Sequence, residues 1–100
     1  RFLRHIERNA VLLFMVPADS PDIKKDYDIL LSELEQYNPE MLQKDRILAI
    51  SKADMLDDEL ESLLKPTLPQ NVTTIFISSV TGKNMQQLKD LLWETLNKEA

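Results

Sequence analysis

Three short runs of apolar, β-forming residues, each followed by a longer stretch of helical period, constrain this chain more than any other feature. The runs are Val11-Leu12-Leu13-Phe14-Met15-Val16, Ile47-Leu48-Ala49-Ile50 and Thr74-Ile75-Phe76-Ile77. None alternates apolar with polar residues, as a strand with one wet face does. Continuous runs of this kind are expected of parallel strands covered on both faces.

The intervening segments read as helices. Ser20 is placed as an N-cap, with Pro21 at the first helical position and Asp22 in the first turn. Ile23, Tyr27, Leu30, Leu31 and Leu34 then recur at helical spacing and are expected to face the sheet, and Asn38-Pro39 ends the helix. Asp57 to Lys65 predicts a short acidic helix stopped by Pro66 and Pro69. Met85, Leu88, Leu92 and Leu96, widened by Leu91, predict a last helix from Asn84 to about Lys98. Arg1 to Asn9 reads as the end of another helix, with Phe2 and Ile6 on one side. A helix tail followed by three strand–helix units implies a right-handed α/β layer around a three-stranded parallel sheet with both edges open.

Composition narrows the function. The chain has 100 residues, one small domain or a piece of a larger one, and its start at Arg1 without methionine suggests an excised segment. It holds a single glycine, Gly82, where a complete nucleotide-binding domain normally uses several. It holds no cysteine, which excludes a disulfide scaffold, a thiol nucleophile and a thiolate zinc site, and fits a reducing cytoplasm. The net charge of −5 argues against direct DNA binding and against a membrane-surface binder, since both need a basic face. The longest apolar run, Ala10 to Val16, is too short to span a bilayer, and no signal-peptide pattern opens the chain. A cytoplasmic location is the expectation.

In an open α/β sheet, ligands bind beyond the carboxyl ends of the strands. The residues there are Pro17-Ala18-Asp19-Ser20, Ser51-Lys52-Ala53-Asp54 and Ser78-Ser79-Val80-Thr81-Gly82. The last two clusters resemble the base-recognition motifs of GTPases, (Asn/Thr)-Lys-x-Asp and Ser-Ala-Lys. Guanine presents N1–H and the N2 amino group side by side, and one carboxylate offers two matching acceptors. The resemblance gives Asp54 that bidentate role. Adenine lacks this pair of donors, and a site that loses such a bond discriminates on the order of 10⁴–10⁵-fold. Lys52 is expected to lay its methylene stem along the base. The backbone N–H of Ser79 is expected to donate to guanine O6, with Ser51, Ser78 and Val80 completing the guanine-binding set. A Ser-Lys-x-Asp tetrapeptide is weak by itself: Asp54 also reads as a cap for the helix starting near Asp57, and Ser78 and Ser79 as turn residues.

The likeness extends further. Phe2-Leu3-Arg4-His5-Ile6-Glu7-Arg8 resembles the helix after the second switch region in the Obg (CgtA) family of GTPases. Asp26-Tyr27, Glu33-Leu34-Glu35 and Tyr37-Asn38-Pro39-Glu40-Met41 are similar to that family's Asp-Tyr…Glu-Leu-Glu-x-Tyr-(Ser/Asn)-Pro-Glu-Leu stretch. The resemblance runs over nearly the whole chain. It implies that residues 1–100 are the base-recognition half of a Ras-like, P-loop NTPase G domain. It also implies GTP/GDP and Mg²⁺ as ligands, and a role for the parent GTPase in assembling the large ribosomal subunit, with the ribosome bound through other parts. Two positions depart from the family pattern. Ser51 replaces the usual Asn, whose amide contacts N7, and Pro17 stands where the family tends to have Asp.

No Gly-x-x-x-x-Gly-Lys-(Ser/Thr) loop and no Asp-x-x-Gly motif occurs, so no residue here is assigned as catalytic and the segment alone is expected to hydrolyse nothing. The resemblance implies that those motifs lie upstream of Arg1, and with them the Mg²⁺ ligands. His5, the only histidine, reads as a helix-face residue. Asp57, Asp58, Glu59 and Glu61 read as a solvated acidic face rather than a cation site, and Trp93 reads as packing against the sheet in preference to marking a domain contact. The alternative functional class is a non-enzymatic module of receiver or flavodoxin-like architecture, with acids at strand ends in Asp19 and Asp54 and a hydroxyl at Ser78. That class usually has five strand–helix units. A free-standing interaction domain, in which Lys52 and Asp54 are only turn residues, is the third reading.

Overall fold

Strand formation follows the apolar runs closely in the computed structural model, which describes residues 11–97. The helix expected over Arg1–Asn9, the Obg-like stretch Phe2–Arg8 with His5, and the end of the last helix at Lys98 lie outside the described residues. Strand β1 spans Val11–Pro17, β2 Asp45–Ser51 and β3 Thr73–Phe76. They form one parallel sheet in the order β1-β2-β3. The register pairs Val16 with Ile50 and Ile50 with Phe76, so all three strands end at the same edge.

Helix α1 (Ile23–Tyr37) connects β1 to β2, α2 (Asp58–Leu64) connects β2 to β3, and α3 (Met85–Asn97) follows β3. Alternate side chains of a strand point to opposite faces, and two apolar clusters result. On one face Val16, Leu48, Ile50 and Phe76 pack with Ile23 and Tyr27 of α1, and Leu64 of α2 joins them. Phe14 meets Tyr27 edge-to-face at 5.4 Å. On the other face Ile47, Ala49 and Ile77 pack with Leu88 of α3, supported by Met85, Leu91 and Leu92. The result is a three-layer α/β sandwich, as the alternation of runs and helical segments implies.

Coverage of the sheet is uneven. Ile47 to Ile50 of the central strand are essentially inaccessible, as expected of a strand with two covered faces. On β1 the expectation fails: Leu13 is 39% and Met15 51% exposed. Helix α3 packs on Ile47 and Ala49 of β2 and on Val11 at the start of β1, and leaves Leu13 and Met15 further along β1 partly bare.

Two local expectations are also corrected. The N-cap of α1 is Asp22, whose carboxylate accepts the Lys25 N–H at 3.1 Å. Ser20 instead accepts the Asp22 N–H and donates to the Asp26 carboxylate, so Ser20 and Pro21 shape the turn that precedes the helix. Trp93 does not pack against the sheet. It is 69% exposed, because it lies off the stripe formed by Leu88, Leu91 and Leu92. Asn38 does end α1, and its side chain then caps a 3₁₀ turn over Pro39–Gln43 that buries Met41.

Candidate functional site

The two segments singled out beyond β2 and β3 meet at the carboxyl edge of the sheet. They are stitched together by main-chain bonds. Ile77 N–H donates to Ile50 O and Ala53 N–H to Ile77 O, both at 2.9 Å, while Ala18 N–H donates to Ser51 O at 2.8 Å. Each bond carries the sheet pattern one or two residues past the end of its strand. Ala53 is thereby buried and anchors the loop.

Lys52 turns this loop outward. Its backbone is left-handed, with φ 59° and ψ 33°, a region that costs a residue with a Cβ about 1 kcal/mol or more. The next residues form a short 3₁₀ turn, Ala53–Met55, closed by Leu56 N–H on Ala53 O. Lys52 and Asp54 both emerge exposed, whereas Ser51 is half-buried.

Asp54 does not cap α2. That position belongs to Asp57, whose carboxylate accepts the Leu60 N–H at 2.8 Å. The Asp54 carboxylate accepts instead from the Ser78 hydroxyl, Oγ to Oδ1 2.8 Å. Among the described residues Oδ2 receives no bond, so one edge of the carboxylate faces outward unengaged. Ser78 itself is fully buried. Its Oγ also accepts the Thr81 N–H at 3.1 Å, so the hydroxyl hydrogen is committed to Asp54.

The loop after β3 is a tight, self-bonded turn. Gly82 N–H donates to Ser78 O, and Ser78 N–H donates to Lys83 O. Gly82 adopts φ +80°, where a Cβ is strained, so this single glycine sits at a position that needs one. Asn84, also left-handed at φ 57°, donates from Nδ2 to Phe76 O at 2.8 Å and ties the turn back to β3. At the tip, Ser79 and Val80 are exposed and their backbone N–H groups bond no described protein group. The geometry thus gathers at one edge an outward carboxylate, a lysine and two unengaged amides.

The bridging roles of Thr81, Lys83 and Asn84 are not visible in motif reading. The spacing Ser78-x-x-Thr81 fits a side-chain-closed turn, and Asn tolerates the left-handed region, so a faint signal existed for two of them. The acidic surface of α2 is also more structured than expected. Asp57 is a cap, and Glu61 pairs with Lys83 and more loosely with Lys65. Asp58 and Glu59 remain exposed. Among the described residues, no group of three or more His, Cys, Asp or Glu side chains is placed to hold a metal ion, and no helix is long and apolar enough to cross a membrane.

Comparison with known proteins adds sequence kinship to this geometry. No protein-family model matches the chain. Over all 100 residues the chain is 67% identical to the GTPase Obg of Phocaeicola vulgatus and 65% identical to the GTPase Obg of Bacteroides thetaiotaomicron. Over 98 residues it is 63% identical to the GTPase Obg of Cytophaga hutchinsonii. The chain spans 25%, 26% and 29% of those relatives, about a quarter of the length of each.

Proposed function

We propose that this chain belongs to the Obg family of GTPases and is the guanine-reading half of a G domain; its 63–67% identity to three GTPases named Obg supports the family reading. Residues 1–100 form the base-recognition part. Phosphate, Mg²⁺ and catalytic groups are assigned to the remainder of the parent protein, of which relatives show about three further quarters. The parent binds and hydrolyses GTP in the cytoplasm and acts in assembly of the large ribosomal subunit. Its ribosomal contacts are assigned to other domains, since this segment is acidic.

The recognition chemistry follows from the site. Guanine enters beside Lys52, whose stem covers one face of the ring while the ammonium stays in water. Asp54 accepts N1–H and the N2 amino group in a bidentate pair, each charged bond contributing about 1.5–3 kcal/mol. Ser79 donates its backbone N–H to O6, with Ser78 holding the loop in register and Val80 beside it at the exposed tip. Ser51 stands where an Asn amide reaches N7. Its shorter hydroxyl makes fewer bonds, so the purine is held there more loosely.

The observation that carries this reading is the Asp54 carboxylate itself. It is exposed, it is aimed by one buried hydroxyl, and it retains an unengaged edge beside two unengaged amides. A turn residue needs no such orientation. Titration of the full-length parent with GDP, ADP and FMN tests the reading. Preference for GDP is the expected result; response to FMN alone, or to no nucleotide, turns the assignment toward a flavodoxin-like or interaction module. The isolated 100-residue chain is expected to hydrolyse nothing and to bind GDP more weakly than about 1 mM, because base contacts act alone.

A further inference from the structure

We propose that the Glu61–Lys83 ion pair is a tether that sets how slowly guanine nucleotide leaves the site; this rests on the guanine reading above and adds a kinetic control to it. The pair joins residues 22 apart in the chain, Glu61 of α2 and Lys83 of the loop after β3. It is partly withdrawn from water, with side-chain exposures of 17% for Glu61 and 34% for Lys83. Screening by salt is therefore weaker than at the more exposed Lys24–Asp28 pair on α1.

Its position gives it leverage. The main chain of Lys83 is bonded twice into the base-reading loop: its carbonyl accepts Ser78 N–H at 3.1 Å and its N–H donates to Thr81 Oγ1 at 3.2 Å. Ser78 in turn holds Asp54. Asp54 leads within three residues to Asp57, the cap of α2, and α2 carries Glu61 back to Lys83. The contacts close a ring that runs Asp54, α2, Glu61, Lys83, Ser78 and back to Asp54. A base bonded both to Asp54 and to the Ser79 amide is released as the two loops shift apart, and shifting them strains this ring at its one ionic link. Loss of the link accelerates release more than it alters encounter, since interface changes act mainly on dissociation.

The test uses the full-length parent loaded with a fluorescent GDP analogue and chased with unlabelled GDP. Glu61→Gln and Lys83→Met each speed release by about three- to ten-fold, as expected for a partly buried pair worth about 1 kcal/mol. Lys83→Arg keeps release slow. The double variant releases no faster than either single one, because both remove the same link. Raising salt speeds release from the wild type and not from Glu61→Gln. Unchanged release in both single variants, or additive acceleration in the double variant, overturns the tether alone. A wild-type parent with no guanine-nucleotide binding overturns the guanine reading and the tether together.

Discussion

The hydroxyl of Ser78 donates to Asp54 Oδ1 across 2.8 Å, joining two loops whose residues lie 24 apart in the chain. Because Ser78 is fully buried and its Oγ is already an acceptor for Thr81 N–H, the proton has one destination, and the carboxylate is held in one orientation. Ser78→Ala removes that donor and leaves Asp54 to rotate in solvent. A bond to a charged group contributes about 1.5–3 kcal/mol, so GDP affinity of the parent is expected to fall at least ten-fold. Calorimetric titration measures it; affinity within two-fold of wild type removes Ser78 from any positioning role.

That contact marks where legibility ended. The strands and the edge at which they finish were readable, because short continuous runs such as Ile47-Leu48-Ala49-Ile50, bounded by helical segments, suit a buried parallel strand. The candidate loops were readable for the same reason. The left-handed Lys52 was not, since lysine has no preference for that region and only the surrounding bonds impose it. The α1 cap was ambiguous because Ser20 and Asp22 are both good caps, and only the geometry selects Asp22. Exposure of Leu13, Met15 and Trp93 was unreadable, since an apolar side chain carries no record of which neighbour covers it.

Asp54→Asn replaces one of the two acceptors with a donor. Guanine then faces an N–H with its own N–H, whereas xanthine, whose O2 is an acceptor, is matched. The parent variant is expected to lose GDP affinity on the order of 100-fold or more and to gain xanthosine diphosphate binding. Competition between the two diphosphates reads the ratio. Retained GDP preference places the carboxylate outside the base site.

Lys52→Gly separates stability from recognition. Glycine adopts φ 59° without strain, and the roughly 1–2 kcal/mol so relieved outweighs the roughly 0.5–1 kcal/mol of backbone entropy that glycine adds, leaving a small net gain in stability. The stem proposed to cover the base is lost in the same substitution, and nucleotide affinity is expected to fall. Denaturant midpoint and GDP affinity of the parent variant are expected to move in opposite directions. A fall in both means that Lys52 packs on protein and not on a base.

Tyr27 offers a test independent of nucleotide. Its ring is buried and its hydroxyl has no hydrogen-bond partner among the described residues. A buried, unsatisfied hydroxyl costs about 1–3 kcal/mol, so Tyr27→Phe is expected to be neutral or stabilising in chemical denaturation. The edge-to-face contact with Phe14 survives the substitution. Destabilisation above about 1 kcal/mol reveals a partner for the hydroxyl.

The bare part of β1 predicts the solution behaviour of the isolated chain. Leu13 and Met15 present apolar surface on one face, and β1 is an outer strand whose far edge has no partner strand in the described sheet. An open edge beside exposed apolar side chains invites pairing between copies. Light scattering of the purified 100-residue chain is expected to rise with concentration faster than for a monomer. Met15→Lys places a charge on that face without touching the core, since Met15 is already 51% exposed, and is expected to restore monomeric scattering. The same association is absent from the full-length parent if its remaining sequence covers this face. Equal self-association of the parent and the isolated chain, insensitive to Met15→Lys, assigns the contact to another surface, of which exposed Trp93 is the first to test.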